Sequence, residues 1–369
     1  NKKANIPKEL YGGLITIVDG VPPGIKITPE MIQEEIDKRR PGQSELDSPR
    51  KETDRVYIFS GVMENNLSTG APVGLVIPNV DIEDIHIQQY REYKDIVRPG
   101  HAEYTFFKKY GEYADWVGAG RASGRETASR VAGGAIAKII LDKMGIDVIG
   151  FVTESHGIKA GPISYELAKQ NYRKNDLNCP DLEAAKIMIE DILKVKEEGD
   201  TCGGVVEVIA RGVPAGLGEP VFDKLSATIA HGLMSIGAIK GIEFGAGFKH
   251  AEMKGSESND EPYYDSETGR VRFKTNNAGG FLGGITNGEE IRIRVAVKPT
   301  PTISIKQSTV DMNKLENTVL QPITRRDPSL CPRIYPVCEA MVRIAILDAI
   351  YMAKGYGAVA GLSEKWEKV

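Results

Sequence analysis

The chain has 369 residues, with 47 lysines and arginines against 51 aspartates and glutamates, which gives a net charge of −4 at neutral pH. This length can bury a sizeable core, while the slightly acidic balance argues against a broad nucleic-acid-binding surface. No apolar run reaches the roughly twenty residues that span a bilayer and no signal-peptide pattern opens the sequence, so we expect a cytoplasmic or plastid-like protein without membrane or nucleic-acid partners.

Strand-like runs rich in β-branched residues and bounded by glycine or proline recur along the chain. They are predicted at 14–18, 56–62, 73–78, 146–153, 204–211, 291–298 and 303–306. Because no proline- or serine-rich linker and no charge block separates them, we predict a single α+β domain over residues 1–369. A dinucleotide-binding fold is disfavoured, since no strand leads into G-x-G-x-x-G with an acidic residue about twenty positions later.

Helical patterns alternate with the strands. Thr28 followed by Pro29 predicts a helix start, and that helix should end near Arg40. Asp181 is a candidate cap for a helix over 182–198. Further helices are predicted at about 223–239 and 336–353. A buried helix face is also predicted from the apolar spacing of Val131, Ile136, Ile139, Ile140 and Met144.

The segment from Arg98 to Arg130 concentrates the residues suited to chemistry. His101 follows an Arg-Pro-Gly turn that can fix its position, and histidine is suited to proton transfer near neutral pH. Ser123 and Glu126 have the spacing of a capping box. Free N–H groups at that helix start, with Arg121 and Arg125, would favour a phosphate or carboxylate ligand. The alternatives are that Ser123 only caps the helix and that His101 is structural.

Cysteines and histidines do not form a recognisable metal or disulfide pattern. The four cysteines, Cys179, Cys202, Cys331 and Cys338, include no C-x-x-C pair, and the five histidines form no ligand cluster. We therefore predict neither a metal site nor a disulfide framework. The glycine pairs within 275–284 predict a loop whose backbone closely approaches another group, with a tight turn between strands as the alternative.

Seven ordered motifs resemble those of the chorismate synthase family, and the similarity covers nearly the whole chain. They are RRPGQS at 39–44, RPGHAEYT at 98–105, GRASGRETASRVA at 120–132, GVPAGLGEPVFDKL at 212–225, TNNAGGFLGG at 275–284, KPTPT at 298–302 and RRDP at 325–328. The resemblance implies a β-α-β sandwich that assembles as a homotetramer. It also implies a lyase of the shikimate pathway that uses reduced FMN to eliminate phosphate from 5-enolpyruvylshikimate 3-phosphate, giving chorismate.

The same resemblance assigns site residues. The catalytic residues that the resemblance implies are His101, placed to protonate or hydrogen-bond the reduced flavin, and Asp327, placed to help relay a proton from the flavin. Its substrate-binding residues are Arg39, Arg50 and Arg325, whose side chains suit carboxylate and phosphate. The implied FMN-binding residues are Arg121, Ala122, Ser123, Gly237, Ala238, Gly283, Lys298, Pro299, Thr300, Pro301, Thr302 and Arg325.

Each assignment has a structural alternative. Arg39 could complement the dipole of its helix, Arg50 could lie in solvent, and Asp327 before Pro328 could initiate a turn. The glycine and alanine positions could serve close packing of helix on strand. Whether NADPH reduces the flavin on this protein is left open by the sequence, with dependence on externally reduced flavin weakly favoured.

The sequence departs from the family at a few positions. A GESHG-like motif expected before Gly12 is absent, and an ESHG tetrapeptide at 154–157 stands in the wrong place to replace it. Because Asn1 stands where a methionine is expected, we interpret the start as incomplete before residue 12. The alternative is a catalytically impaired or non-catalytic flavin- or anion-binding member of the fold. Glu45 replaces a common basic residue, and Ala122 a common serine.

Overall fold

A three-stranded antiparallel sheet and one helix form the first part of the fold. The computed structural model describes residues 13–48, 53–79, 91, 93–116, 121–321 and 326–354. The first elements are β1 Leu14–Val18, α1 Pro29–Arg39, β2 Tyr57–Ser60 and β3 Val73–Ile77. The strands are ordered β1-β3-β2, so the last of the three lies in the centre.

Helix α1 begins where the sequence predicts. The Thr28 side chain accepts a hydrogen bond from the Met31 N–H at 3.3 Å, and Pro29 occupies the first turn, where a missing N–H costs nothing. Ile32 and Ile36 are fully buried on one face of this helix. The last turn brings Arg39 towards the interior, which matters for the site described below.

Two helices follow, α2 Glu103–Tyr110 and α3 Thr127–Lys143. The predicted capping box at the start of α3 is wrong. Ser123 accepts from the Arg125 N–H at 3.3 Å and caps a short 3-10 turn, while the Glu126 carboxylate pairs with Arg130 at 2.9 Å. The extra turn moves the start of the α-helix to Thr127, so Glu126 cannot reach back to the Ser123 backbone.

The remaining elements in chain order are β4 Asp147–Ser155, β5 Ile158–Lys159, α4 Tyr165–Asn171, α5 Leu182–Glu197, β6 Gly204–Arg211, α6 Leu225–Met234, β7 Ile239–Phe244, α7 Gly255–Ser258, β8 Pro262–Asp265, β9 Arg270–Phe273, β10 Phe281–Leu282, β11 Ile285–Thr286, β12 Ile291–Val297, β13 Gln307–Asp311, β14 Glu316–Leu320 and α8 Cys331–Lys354. Strands β5-β4-β6-β12-β7 form a second antiparallel sheet in that order. The pairs β8–β9, β10–β11 and β13–β14 are separate hairpins.

Helices α3 and α8 pack between the two sheets. Helix α3 lies against β1 and β3, and α8 lies against β4 and β6. The two helices approach each other so closely that a methyl group on Gly134 would stand 2.3 Å from Cβ of Ala340. Val131, Ile136 and the other buried apolar residues of α3 join one core with α8 and both sheets. The predicted α+β class is therefore confirmed, with the helices as the middle layer.

Most predicted elements are present with shifted ends, and one strand is wrong. Asp181 caps α5 as predicted, accepting from the Ala184 N–H at 3.1 Å. The run 303–306 lies outside the sheets, because the Ser304 N–H donates to the Gly199 carbonyl at 2.9 Å and the strand begins only at Gln307. The helix predicted over 223–239 ends at Met234, since β7 already starts at Ile239.

An ionic network lies inside the helical layer. Arg343 of α8 is 3% exposed and pairs with Glu35 at 2.8 Å and with Glu339 at 3.2 Å. It also donates to the Val148 carbonyl at 2.8 Å, and Glu339 accepts from the Gly150 N–H at 2.7 Å. Burial disfavours the charged form of Arg343, but the two carboxylates beside it outweigh this effect and raise the pKa of its guanidinium. Charge pairing thus ties α1, α8 and β4 together inside the core.

Candidate functional site

Two arginines share one buried aspartate where α1 meets the start of α3. Arg39 is 1% exposed; it donates to Asp54 Oδ2 at 2.8 Å, to Thr127 Oγ1 at 2.7 Å and to the Gly124 carbonyl at 3.0 Å. Arg125 lies 2.7 Å from the other oxygen of Asp54, Oδ1. The cluster thus places two cations beside a helix N-terminus, where positive side chains and free N–H groups favour an anionic ligand.

Asp327 lies in a second cluster that contacts the first. It is 7% exposed, its Oδ1 accepts from the Ser48 N–H at 2.8 Å, and its Oδ2 lies 2.6 Å from Arg333. Arg333 also donates to the Arg39 carbonyl at 3.1 Å. The Ser48 hydroxyl is buried and has no hydrogen-bond partner among the described residues. A polar atom in that state beside a carboxylate is a place where a bound polar molecule would be stabilised.

His101 is held by a carboxylate at the start of α2. Its Nδ1 lies 3.0 Å from Glu103 Oε2, and Arg98 forms an ion pair with the same carboxylate. Burial of Glu103 opposes its ionisation, but the hydrogen bond and charge of His101 and the charge of Arg98 outweigh it and lower the pKa of Glu103. A carboxylate beside Nδ1 orients the ring and leaves Nε2 as the nitrogen for other partners.

The segment 298–302 connects these parts. Lys298 Nζ donates to the Gly100 carbonyl at 2.5 Å, and its backbone N–H donates to the Ala238 carbonyl at 2.9 Å. Thr300 Oγ1 donates to the Asp327 carbonyl at 2.8 Å. One short stretch of chain therefore touches the turn before His101, the end of α6 and the Asp327 cluster. Burial, with the positive charge of Lys240, lowers the pKa of the Lys298 ammonium.

The surroundings of the other predicted cofactor-binding residues vary. Arg121 lies over the ring of Tyr110, with 5.8 Å between the guanidinium carbon and the ring centroid. Gly283 lies in the β10–β11 hairpin with a φ of +61°, and no described atom stands within 4 Å of where a Cβ would be at Gly283 or at Gly237. Among the described residues no hydrogen bond joins Gly283 to the clusters above, so its role stays a prediction.

The remaining predicted site residues make few described contacts or lie outside the described residues. Pro301 packs against Gly100, where an added Cβ would lie 3.2 Å from Pro301 Cβ, whereas Ala122, Pro299 and Thr302 make no described side-chain hydrogen bond. Arg50 and Arg325 lie outside the described residues.

The alternative ESHG motif borders the segment 298–302 through its backbone, because the His156 N–H donates to the Gly203 carbonyl at 3.0 Å and an added Cβ at Gly203 would stand 3.1 Å from Pro299 Cδ. His156 occupies the turn between β4 and β5, and its Nδ1 lies 2.9 Å from Asp191 Oδ2. His156 therefore lies at the end of a strand, with its side chain 58% exposed. The glycine pair Gly279 and Gly280 supports the predicted close approach of the 275–284 loop, because an added Cβ would stand 2.3 Å from Gly245 N and 2.8 Å from the Glu290 carbonyl oxygen respectively.

Sequence reasoning did not identify Asp54, Glu103 or Arg333. Asp54 and Glu103 are acidic residues whose partners become visible only when the chain is folded, and Arg333 lies outside the matched motifs. Glu103 had one weak signal, since it is two residues from His101 inside a matched motif.

We expect Glu103→Gln to lower the free energy of unfolding by about 1 kcal/mol near neutral pH, as for a partly exposed ion pair. Because the folded pKa of Glu103 lies below its ordinary value of 4.5, the stabilisation is present above that value and is lost as pH falls through the folded pKa. Urea unfolding of both proteins at about pH 7 and about pH 3 measures this. A difference that stays constant or grows in acid would contradict the prediction.

Neither a metal centre nor a membrane span is found in the described part of the chain. No group of three or more histidine, cysteine, aspartate or glutamate side chains there could hold a metal ion. None of the helices described is long and apolar enough to cross a membrane.

Comparison with known proteins gives a consistent result. Residues 11–351 match the family model described as chorismate synthase. The chain is 70% identical to the chorismate synthase of Acetivibrio thermocellus, covering all of this chain and 94% of that protein. It is 50% identical to that of Methanosarcina barkeri, over 90% of this chain and 89% of the other. A solved structure titled "Crystal Structure of Chorismate Synthase" has a TM-score of 0.74 and 30% identity, covering 97% of this chain and 95% of that one.

Proposed function

Because the chain belongs to the chorismate synthase family and is a carbon–oxygen lyase of the shikimate pathway, we propose that its two clusters bind reduced FMN and 5-enolpyruvylshikimate 3-phosphate. In the 1,4-elimination the C–O bond to phosphate breaks, a C–H proton is lost and a new double bond forms, giving chorismate and phosphate. The full-length match to relatives named chorismate synthase supports the catalytic interpretation over a non-catalytic flavin- or anion-binding protein.

The contacts of the segment 298–302 carry the proposal. Lys298 bonds to Gly100, next to His101, and Thr300 bonds to Asp327. Predicted flavin-binding residues are thereby held beside both predicted proton-handling residues. That proximity is what a reaction needs when a proton and a leaving anion separate from one substrate.

Several described residues fit FMN. Lys298 and Arg121 supply cations, Ser123 a hydroxyl, and the backbone at Gly237 and Gly283 has no described atom filling the space of a Cβ, so a planar ring or phosphate could approach closely. Reduced FMN, when bound, supplies electrons that assist the departure of phosphate without net oxidation. Arg325, Ala122, Ala238, Pro299, Pro301 and Thr302 complete the proposed set.

For the substrate we propose Arg39, Arg50 and Arg325, with the positive charge of Arg39 and Arg125 stabilising the leaving phosphate. Arg39 already donates to Asp54, Thr127 and Gly124. These bonds use three of the five N–H groups of the guanidinium, fix its orientation and hold the turn before α3.

His101 and Asp327 are the proposed catalytic residues. Glu103 anchors Nδ1 of His101, which leaves Nε2 to hold or donate a proton. Asp327 is anchored by the Ser48 N–H and Arg333, and we assign it to accepting a proton after it leaves the substrate carbon. The two residues thus divide proton donation and acceptance between them.

Assembly as a cytoplasmic homotetramer is also proposed. Ile15 and Ile17 of β1 are 67% and 68% exposed, and Phe59 of β2 is 59% exposed. Exposed apolar side chains on one small sheet favour burial against another subunit. Light scattering tests this, and a monomer at working concentration would contradict it.

NADPH as a reductant is tested by following its oxidation with added FMN.

The activity is tested by incubating the full-length protein anaerobically with reduced FMN and 5-enolpyruvylshikimate 3-phosphate. Chorismate absorbance and released phosphate are followed together, and we expect them in equal amounts. Oxidised FMN is the matched control and should give neither product. Absence of chorismate with reduced FMN would reject the proposed function.

We expect His101→Gln to lower kcat by about 10²-fold, the lower end of what a positioned proton-transfer group contributes. Glutamine retains a polar group towards Glu103 but cannot carry the proton. Steady-state assays measure the change, and His156→Gln is the control, because the exposed His156 side chain pairs with Asp191. An unchanged kcat in His101→Gln would remove this residue from the mechanism.

A further inference from the structure

A cleft lined by several cations borders Arg333. Its volume is about 240 Å³, and it is formed by the end of α1, the turn between α4 and α5, and the start of α8. The charged residues lining it are Lys38, Arg40, Arg173, Arg333, Asp47 and Asp176. Lys38 and Arg333 each pair with a carboxylate outside this lining, Glu35 and Asp327, so Arg40 and Arg173 are the cations that would favour an anion here.

Arg40 and Arg173 retain unused donor capacity. The carboxylate nearest to Arg40 is Asp37, at 3.8 Å and without a hydrogen bond, while Arg173 donates to Gln43 Oε1 at 3.3 Å. In the described part of the chain Arg173 has no carboxylate partner. Lys38, by contrast, is paired with Glu35 at 2.8 Å. Guanidinium groups with free donors bind oxyanions in bidentate geometry.

The turn that presents Arg173 is rigidly held in a costly conformation. Arg173 and Asn178 have φ values of +54° and +53°, although neither is glycine. Asn178 accepts from the Arg173 N–H at 2.6 Å and donates to the Gly150 carbonyl at 3.0 Å. Asn175 closes the same turn by accepting from the Cys179 N–H at 3.1 Å. Backbone strain retained in this way is common where a side chain must be placed for a ligand.

Arg333 connects the cleft to the candidate active site. It lines the cleft and lies 2.6 Å from Asp327 Oδ2. Asp47, also in the cleft, is buried, which together with the nearby charge of Asp327 raises the pKa of its carboxyl. A neutral Asp47 would oppose an anion less than an ionised one.

We propose that this cleft, called here the Arg40–Arg173 cleft, binds a small oxyanion of the phosphate type. Arg40 and Arg173 would be its main ligands, and Arg333 would divide its charge between the anion and Asp327. The volume is below that of most pockets for drug-sized ligands, so a single phosphate group fits and a dinucleotide does not. The effect on Asp327 chemistry rests on the proposed function, whereas anion binding itself does not.

The test is calorimetric titration of the full-length protein, without flavin or substrate, with inorganic phosphate at constant ionic strength set by sodium chloride. We expect saturable binding that weakens by about tenfold in Arg173→Gln and in Arg40→Gln, as when one charge-assisted contact is lost. Arg211→Gln is the matched control, because Arg211 pairs with Glu166 at the surface and should leave binding unchanged. Circular dichroism verifies that the variants are folded.

A repeat with saturating FMN and 5-enolpyruvylshikimate 3-phosphate identifies where the anion binds. Phosphate that still binds belongs to the Arg40–Arg173 cleft, whereas displacement would place it in the candidate active site and overturn the proposal. Absence of saturable binding, or equal binding by both cleft variants and the wild-type protein, would overturn it as well. None of these outcomes depends on turnover, so they are separable from a failure of the proposed activity.

Discussion

Asp327→Asn is expected to lower kcat by about 10²–10⁴-fold, the range associated with loss of a positioned proton-transfer group. The amide keeps the shape of the side chain but cannot accept the proton. Affinity for FMN should change far less, because Thr300 bonds to the backbone carbonyl of Asp327 and not to its side chain. Single-turnover assays and a flavin titration measure the two quantities.

Folding must be controlled, since Asp327 also pairs with Arg333 at 2.6 Å. Rates are therefore normalised to folded protein from a denaturation curve. Asp191→Asn is the matched control, because it makes the same chemical change in a carboxylate whose Oδ2 lies 2.9 Å from His156 Nδ1. If Asp327→Asn retained wild-type kcat, the residue would be structural. If flavin affinity and kcat fell together, it would be a binding residue.

Arg343→Leu is expected to lower the free energy of unfolding by about 3–5 kcal/mol, because it leaves buried carboxylates without their cation. Glu35 and Glu339 are 4% and 0% exposed, and both pair with Arg343. Burial alone would raise the pKa of Glu35, but Arg343 and Lys38 hold it below its ordinary value. Urea denaturation near neutral pH measures the loss.

Two further variants separate charge from packing. Arg343→Leu combined with Glu35→Gln and Glu339→Gln should recover part of the loss, because the unpaired charges are gone. Arg294→Leu, which breaks an exposed ion pair with Glu243, should cost no more than about 1 kcal/mol. A loss of that small size in Arg343→Leu would show that the network contributes little.

Local sequence patterns predicted elements whose signals lie within a few residues. The Thr28-Pro29 start of α1 and the Asp181 cap of α5 are correct because a cap is formed by neighbours along the chain. Alternating or continuous β-branched residues likewise located β1 and β6. The capping box at Ser123 failed because a short 3-10 turn competes with the α-helix at the same residues.

Signals that depend on tertiary contacts were missed. The run 303–306 has strand-like composition, but its backbone bonds to Gly199 and not to a neighbouring strand. The end of α6 at Met234 is decided by the start of β7, which pairs with β12. Strand pairing is a long-range interaction, and composition within a short window cannot report it.

The motifs and their order along the chain were enough to identify the family and the α+β class, because both can be read from the amino-acid sequence without a structure. Only the folded chain decided which residues meet. Asp54 gathers Arg39 and Arg125, and Arg333 joins Asp327 to the end of α1. Arg333 and Arg39 are 294 residues apart, so their meeting depends on how the two sheets enclose α3 and α8 and not on any local pattern.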